Sequence, residues 1–249
     1  MVYFGETLLL SAVMGFSIYL SLPIIMSKNQ GVMRVSFLSA VAIGILIFLI
    51  GDVFLDAAGT LYNGSLYGYG SSPMYDLVFT LSLGAGFFAL FATGIRRKLK
   101  LSPTELALII ALGIAFQNLT EGLLFGALSV GIGLTGAALV VLVGFIFQNS
   151  TEGFPIASPF LGSTQGKGAV IAGALMIGGL PTILGGAVGY FYNDAVFDLV
   201  FYGLAIGTML YVILPMLRQL LYPDDQRKLG VTYVGVFVGF LLGFAVNLL

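Results

Sequence analysis

Long apolar runs, each ended by a short polar or Gly-rich connection, repeat from one end of the chain to the other. A helix rises about 1.5 Å per residue, so crossing a hydrocarbon layer takes roughly 20 mostly apolar residues. Eight segments have that length: 6–26, 36–57, 75–95, 104–130, 133–160, 168–191, 196–217 and 230–248. The pattern predicts an all-α polytopic membrane protein, with eight transmembrane helices forming a single domain over residues 1–249. An even number of spans puts both termini on the same side. The first apolar segment lacks a basic leader and runs for about 20 residues, so it reads as a retained span and not a cleaved signal peptide.

The connections orient the bundle. All ten Lys and Arg fall in odd-numbered connections: Lys28 and Arg34; Arg96, Arg97, Lys98 and Lys100; Lys167; Arg218, Arg227 and Lys228. Cytoplasmic loops carry the excess of Lys and Arg, so the odd loops are expected inside and both termini outside, in a multi-pass protein of the plasma membrane. The Arg96–Lys100 run reads first as a topology determinant, with contact to anionic lipid as the sharper role. The second connection, around Gly59 to Pro73, contains Asn63-Gly64-Ser65, a glycosylation sequon consistent with an outer loop. Asn118-Leu119-Thr120 and Asn149-Ser150-Thr151 lie inside spans and are expected to stay unmodified.

Composition supports the same class and removes several chemistries. The chain is 59% hydrophobic and 8% charged, contains 35 Gly and has a mean hydropathy of +1.07, which marks a membrane protein. The bilayer is therefore the expected partner and no nucleic acid partner is expected, although the net charge of −1 by itself says nothing about nucleic acid. With neither Cys nor His, disulfides, thiolate metal sites and imidazole ligands are excluded. Enzymatic function is not expected, since an intramembrane hydrolase would need an Asp pair or a Ser–Lys pair within the spans.

One six-residue phrase occurs twice, as Gln117-Asn118-Leu119-Thr120-Glu121-Gly122 and Gln148-Asn149-Ser150-Thr151-Glu152-Gly153. At about 100° per residue, Glu lies 40° from Gln and Asn 100° from it, so each span presents a polar stripe with a carboxylate in it. A charge near the middle of a span costs roughly 2.5 to 3.5 kcal/mol, so such a carboxylate normally faces a partner, a cavity or an ion. A Gly-rich turn near Ser129 to Gly136 makes the fourth and fifth spans an antiparallel hairpin that brings the phrases to similar depth, offset unless a helix bends. Pro155 and Pro159 supply a bend, and Pro155 leaves the Thr151 carbonyl without its helical donor. The competing reading is interhelical glue, which explains the amides but not a Glu at the same register in both copies.

Consecutive spans carrying His/Gln-Asn/Asp-x-Pro-Glu-Gly are the signature of the ZIP family of divalent metal transporters, which this chain resembles. The sixth-span stretch GGLPTILGGAVGYF and the seventh-span stretch GLAIGTMLYVILPML extend the resemblance. It implies a first metal site of Gln117, Glu121, Gln148 and Glu152, with Asn118 and Asn149 leaning towards a second. It also implies a homodimer and an elevator-like movement of spans 1, 4, 5 and 6 past spans 2, 3, 7 and 8. Gln117 stands where the family usually has His, Thr120 and Thr151 where it has Pro, and Thr182 where it often has an acid. These departures keep a second reading open, a ZIP-like membrane subunit that no longer transports and sits in a hetero-complex. A carrier of another cation or a small polar solute is a third.

Two carboxylates neutralise one divalent cation, and Gln, Asn and Thr oxygens would complete its shell. Oxygen-only sites suit Mn²⁺, Mg²⁺ or Ca²⁺, whereas a dedicated Zn²⁺ site favours imidazole or thiolate and Fe²⁺ lies between. The expected substrates are Mn²⁺ or Fe²⁺ first and Zn²⁺ second, as transported ions with no resident cofactor. Without metal, facing carboxylates repel, so metal binding is expected to displace a proton. Asp52 and Asp56, one turn apart on the second span, read first as hydrated residues near the outer interface, with an entrance as the sharper role. Asp194 and Asp198 read first as helix N-terminal stabilisation, although all four acids together would make an electronegative mouth. Met209 reads as a packing residue.

Overall fold

The computed structural model describes residues 3–26, 31–62, 72–96, 101–131, 136–162, 167–192, 194–220 and 226–247. Its elements in order are α1 (Phe4–Phe16), a 3₁₀ stretch (Ser17–Ser21), α2 (Leu22–Ile25), α3 (Val32–Leu61), α4 (Pro73–Arg96), α5 (Pro103–Gly131), α6 (Gly136–Ala157), a second 3₁₀ stretch (Ser158–Phe160), α7 (Gly168–Phe191), α8 (Ala195–Leu220) and α9 (Gln226–Asn247). No strand occurs among the described residues. The sequon at Asn63 and the basic residues Lys28, Arg97, Lys98 and Lys100 lie outside them.

Seven helical segments among the described residues are long and apolar enough to cross a membrane. Helix α6, at 22 residues, carries Gln148, Asn149, Ser150, Thr151 and Glu152 towards its C-terminal end. The outer surface agrees with a lipid environment. Large apolar side chains such as Leu77, Leu81 and Phe88 on α4 and Phe237 and Leu241 on α9 point outward, while Gln, Asn, Glu, Ser and Thr side chains are buried. A water-soluble protein reverses this arrangement. The chain is thus a multi-pass α-helical membrane protein.

The first span departs from the continuous helix expected over 6–26. It tightens to 3₁₀ at Ser17–Ser21, where the Ser17 hydroxyl donates to the Met14 carbonyl (2.6 Å) and the Ser21 hydroxyl to the Ile18 carbonyl (3.0 Å). Such back-bonding competes with the regular ladder, and Pro23 removes a further donor. Pro155 is accommodated inside α6, and the chain turns to 3₁₀ only after Ala157, at Pro159.

The helices pack as two groups. Helices α1, α5, α6 and α7 contact one another, with α5 against α7 the most extensive pairing. Helices α3, α4, α8 and α9 form the other group through α3–α9, α4–α8 and α3–α8, and α5 meets α8 across the boundary. Small residues allow the closest of these pairings. A Cβ at Gly122 on α5 would strike the Thr182 carbonyl oxygen on α7, and one at Gly185 on α7 would strike the Leu119 carbonyl on α5. Backbones meeting this closely hold α5 and α7 by dispersion rather than by hydrophobic exclusion, as lipid requires.

Candidate functional site

Both polar phrases lie buried where α5 and α6 face each other, with α7 and α3 beside them. Gln117 and Gln148 are 2% and 8% exposed, Glu121 is 5% exposed, and Asn118, Asn149 and Glu152 are fully buried. All six residues singled out from the sequence therefore sit inside the helix bundle.

The pairing within the site follows from depth. Counted from the hairpin, Glu121 is 10 residues before Gly131 and Gln148 is 12 after Gly136, whereas Gln117 is 14 before and Glu152 16 after. Each Gln thus lies level with the other helix's Glu. Accordingly, Gln148 Nε2 donates to Glu121 Oε1 (2.7 Å), and Gln117 Nε2 donates to Glu152 Oε1 (3.2 Å). The expected offset between the two carboxylates is real, and the four-residue Gln–Glu spacing absorbs it. Gln117 Nε2 also donates to Glu121 Oε1 (3.1 Å), so one amide spans both carboxylates. Their Oε1 atoms are no farther apart than those two bonds laid end to end.

The Asn side chains split. Asn149 Nδ2 reaches Glu121 Oε2 (3.3 Å) and the Phe145 carbonyl (2.9 Å), while Asn118 Nδ2 leaves the pair and donates to the Gly178 carbonyl of α7 (3.0 Å). The hydroxyls of Thr120 and Thr151 donate to carbonyls of their own helix, those of Gln117 (2.6 Å) and Gln148 (2.8 Å). Neither Thr hydroxyl is drawn across to the carboxylates by these bonds.

The acceptor side of the network is unfilled. Gln117 Oε1, Asn118 Oδ1, Asn149 Oδ1 and Glu152 Oε2 are buried without a hydrogen-bond partner among the described residues, and so are Thr182 Oγ1 and Ser11 Oγ. Buried polar atoms are nearly always paired, and each unpaired one costs about 1 to 3 kcal/mol, so an electropositive group placed here would meet several unfilled acceptors. The amide nitrogens are spent on carboxylates and carbonyls, which leaves oxygens as the unfilled ends. No group of three or more Asp, Glu, His or Cys among the described residues is arranged to hold a metal ion. A cation here would therefore rely on amide oxygens beside the two carboxylates.

Two polar side chains outside the phrases sit on helices beside them, Ser11 and Asp52. Ser11 on α1 packs against Gly186 of α7, and Thr7, Ser11 and Gly15 recur at four-residue intervals, a stripe visible in the sequence. Asp52 on α3 is half-buried, and Gln148 Nε2 reaches its Oδ2 at 3.4 Å, which ties it to the site more closely than a hydrated interfacial residue would be. Asp194 behaves as an acidic helix start, accepting from the backbone N–H groups of Val196 (2.9 Å) and Phe197 (3.1 Å). Met209 is buried in the apolar core.

No protein-family model matches the chain, and no curated protein matches it either.

Proposed function

We propose that this protein carries a divalent metal cation across a membrane through the Glu121–Glu152 site, as a transporter of ZIP type. The observation that carries this reading is the set of unpartnered buried oxygens, Gln117 Oε1, Asn149 Oδ1 and Glu152 Oε2, around two carboxylates in an otherwise apolar bundle. An intramembrane carboxylate is costly, and a cation with an oxygen shell balances both its charge and its unfilled acceptors. Donor type favours Mn²⁺ or Fe²⁺ over Zn²⁺. The ion is the substrate and no cofactor is required.

Under this proposal α6 is the eighth span, the termini face outward, the membrane is the plasma membrane and the protein works as a homodimer. The two helix groups correspond to the moving and fixed parts of an elevator, with Gln117, Asn118, Glu121, Gln148, Asn149 and Glu152 travelling on the first. A second reading, a non-transporting membrane subunit, draws on a different observation: the amide donors already satisfy much of both carboxylates, so the network coheres as interhelical glue.

The deciding experiment is uptake of Mn²⁺, Fe²⁺, Zn²⁺, Cd²⁺ and Mg²⁺ into proteoliposomes, with the Glu121→Ala/Glu152→Ala variant alongside. The native protein is expected to take up Mn²⁺ or Fe²⁺ best, and the double variant to lose uptake while eluting as a folded protein. Uptake that persists in the double variant removes the site assignment. A folded native protein that moves none of the five metals leaves the non-transporting subunit as the better reading.

A further inference from the structure

Acidic residues outside the repeated phrases lie on α3 and α8, two helices that pack against each other. We propose that Asp52 on α3, with Asp56 and Asp198 behind it, forms an acidic approach that hands divalent cations to the Glu121–Glu152 pair beside Gln148. This inference rests on the cation reading of that site.

Gln148 is the junction. Its Nε2 donates to Glu121 Oε1 at 2.7 Å and reaches Asp52 Oδ2 at 3.4 Å, so a single amide on α6 touches an acid from each helix group. Asp52 therefore stands next to the pair without belonging to it. Asp56 follows one turn farther along α3 and is exposed. On α8, which packs against α3, Tyr202 is 8% exposed and lies one turn beyond Asp198. These acids lie towards the C-terminal end of α3 and the N-terminal end of α8, which adjoin the even connections free of Lys and Arg.

Acidic clustering alone would not make a route. What gives this one a destination is the set of unpartnered oxygens at its inner end, on Gln117 (2% exposed) and Glu152 (0% exposed), which point to a cation as the missing partner. A row of like charges in a low-dielectric wall raises the local cation concentration, and each step inward exchanges water for another carboxylate. The role assigned to Asp52 is delivery, so its loss affects how much metal is needed rather than how fast a filled site moves.

The test is the concentration dependence of Mn²⁺ uptake into proteoliposomes at two ionic strengths. Asp52→Asn is expected to raise the half-saturating concentration about tenfold, leave the maximal rate within about twofold, and weaken the ionic-strength dependence. Asp52→Glu is expected to restore most of the affinity, and Asp76→Asn, at the start of α4, to behave as native. Should Asp52→Asn fail to fold, Asp56→Asn and Asp198→Asn are each expected to raise half-saturation about threefold. Native concentration dependence in the folded Asp52→Asn variant, or in both substitutes, overturns the approach while leaving the site standing. A fall in maximal rate at unchanged half-saturation overturns it as well. A native protein that moves no Mn²⁺ removes the cation reading beneath it, a failure of a separate kind.

Discussion

At the scale of single residues, the site depends on which atom of each amide faces inward. Both Gln side chains direct nitrogen at a carboxylate, and Gln117 turns its oxygen to a place with no donor among the described residues. The four-residue Gln–Glu spacing in each phrase made the polar stripe legible in the sequence, but not the exchange of partners across the hairpin. That exchange depends on relative helix depth, which a sequence fixes only through the length and course of the turn. Asp52 was harder still, because its tie to Gln148 joins residues 96 positions apart on different helices. The absence of His has a consequence that can be checked. Gln117→His exchanges an amide oxygen for an imidazole nitrogen beside both carboxylates, and imidazole suits Zn²⁺ better than Mn²⁺. In competition uptake with both metals, the Zn²⁺ to Mn²⁺ ratio of Gln117→His is expected to rise at least about tenfold, equivalent to about 1.4 kcal/mol. An unchanged ratio in an active variant would separate Gln117 from the coordination shell.

At the scale of helices, α5 is held in place by α7. Their backbones meet at Gly122 and Gly185, one residue from Glu121 and three from Thr182, so the packing that fixes the pair also fixes the depth of the carboxylate. Gly122→Val puts branched carbon where the Thr182 carbonyl stands. Overpacking of this kind costs about 1 to 3 kcal/mol where side chains can yield, and a backbone carbonyl yields less. Gly144 on α6 is a fitting control, since a Cβ there meets nothing within 4 Å. Circular dichroism melts in detergent should show Gly122→Val unfolding well below native, and Gly144→Ala unfolding at or slightly above it, because Ala suits a helix interior better than Gly by about 1 kcal/mol. Equal melting of both variants would mean that the α5–α7 contact is looser than its geometry implies. Helix existence was legible throughout from hydropathy alone. The 3₁₀ stretch at Ser17–Ser21 was not, because hydroxyl back-bonding to a carbonyl leaves no trace in an apolar count.

At the scale of the whole molecule, orientation decides what the acidic approach collects. With eight spans counted, all ten cationic side chains lie in or beside connections of one parity, while Asp56 and Asp198 lie beside connections that have none. If the positive connections are cytoplasmic, the approach opens outward and gathers cations from outside the cell, where each anionic side chain adds to the pull on an incoming ion. The opposite orientation would have the same helices and the same site but collect cations from the cytoplasm, so the direction of supply depends on this one property. The chain makes the question answerable because it contains no Cys, and any introduced thiol is the sole reactive one. Lys28→Cys reports on the first connection and Asn63→Cys on the second. A membrane-impermeant maleimide applied to intact cells is expected to label Asn63→Cys and to spare Lys28→Cys until the membrane is permeabilised. The reverse pattern would place the basic connections outside and turn the approach to the cytoplasm. Labelling of both in intact cells would mean that the two connections share one face, and that the helix α3 carrying Asp52 does not cross the membrane at all.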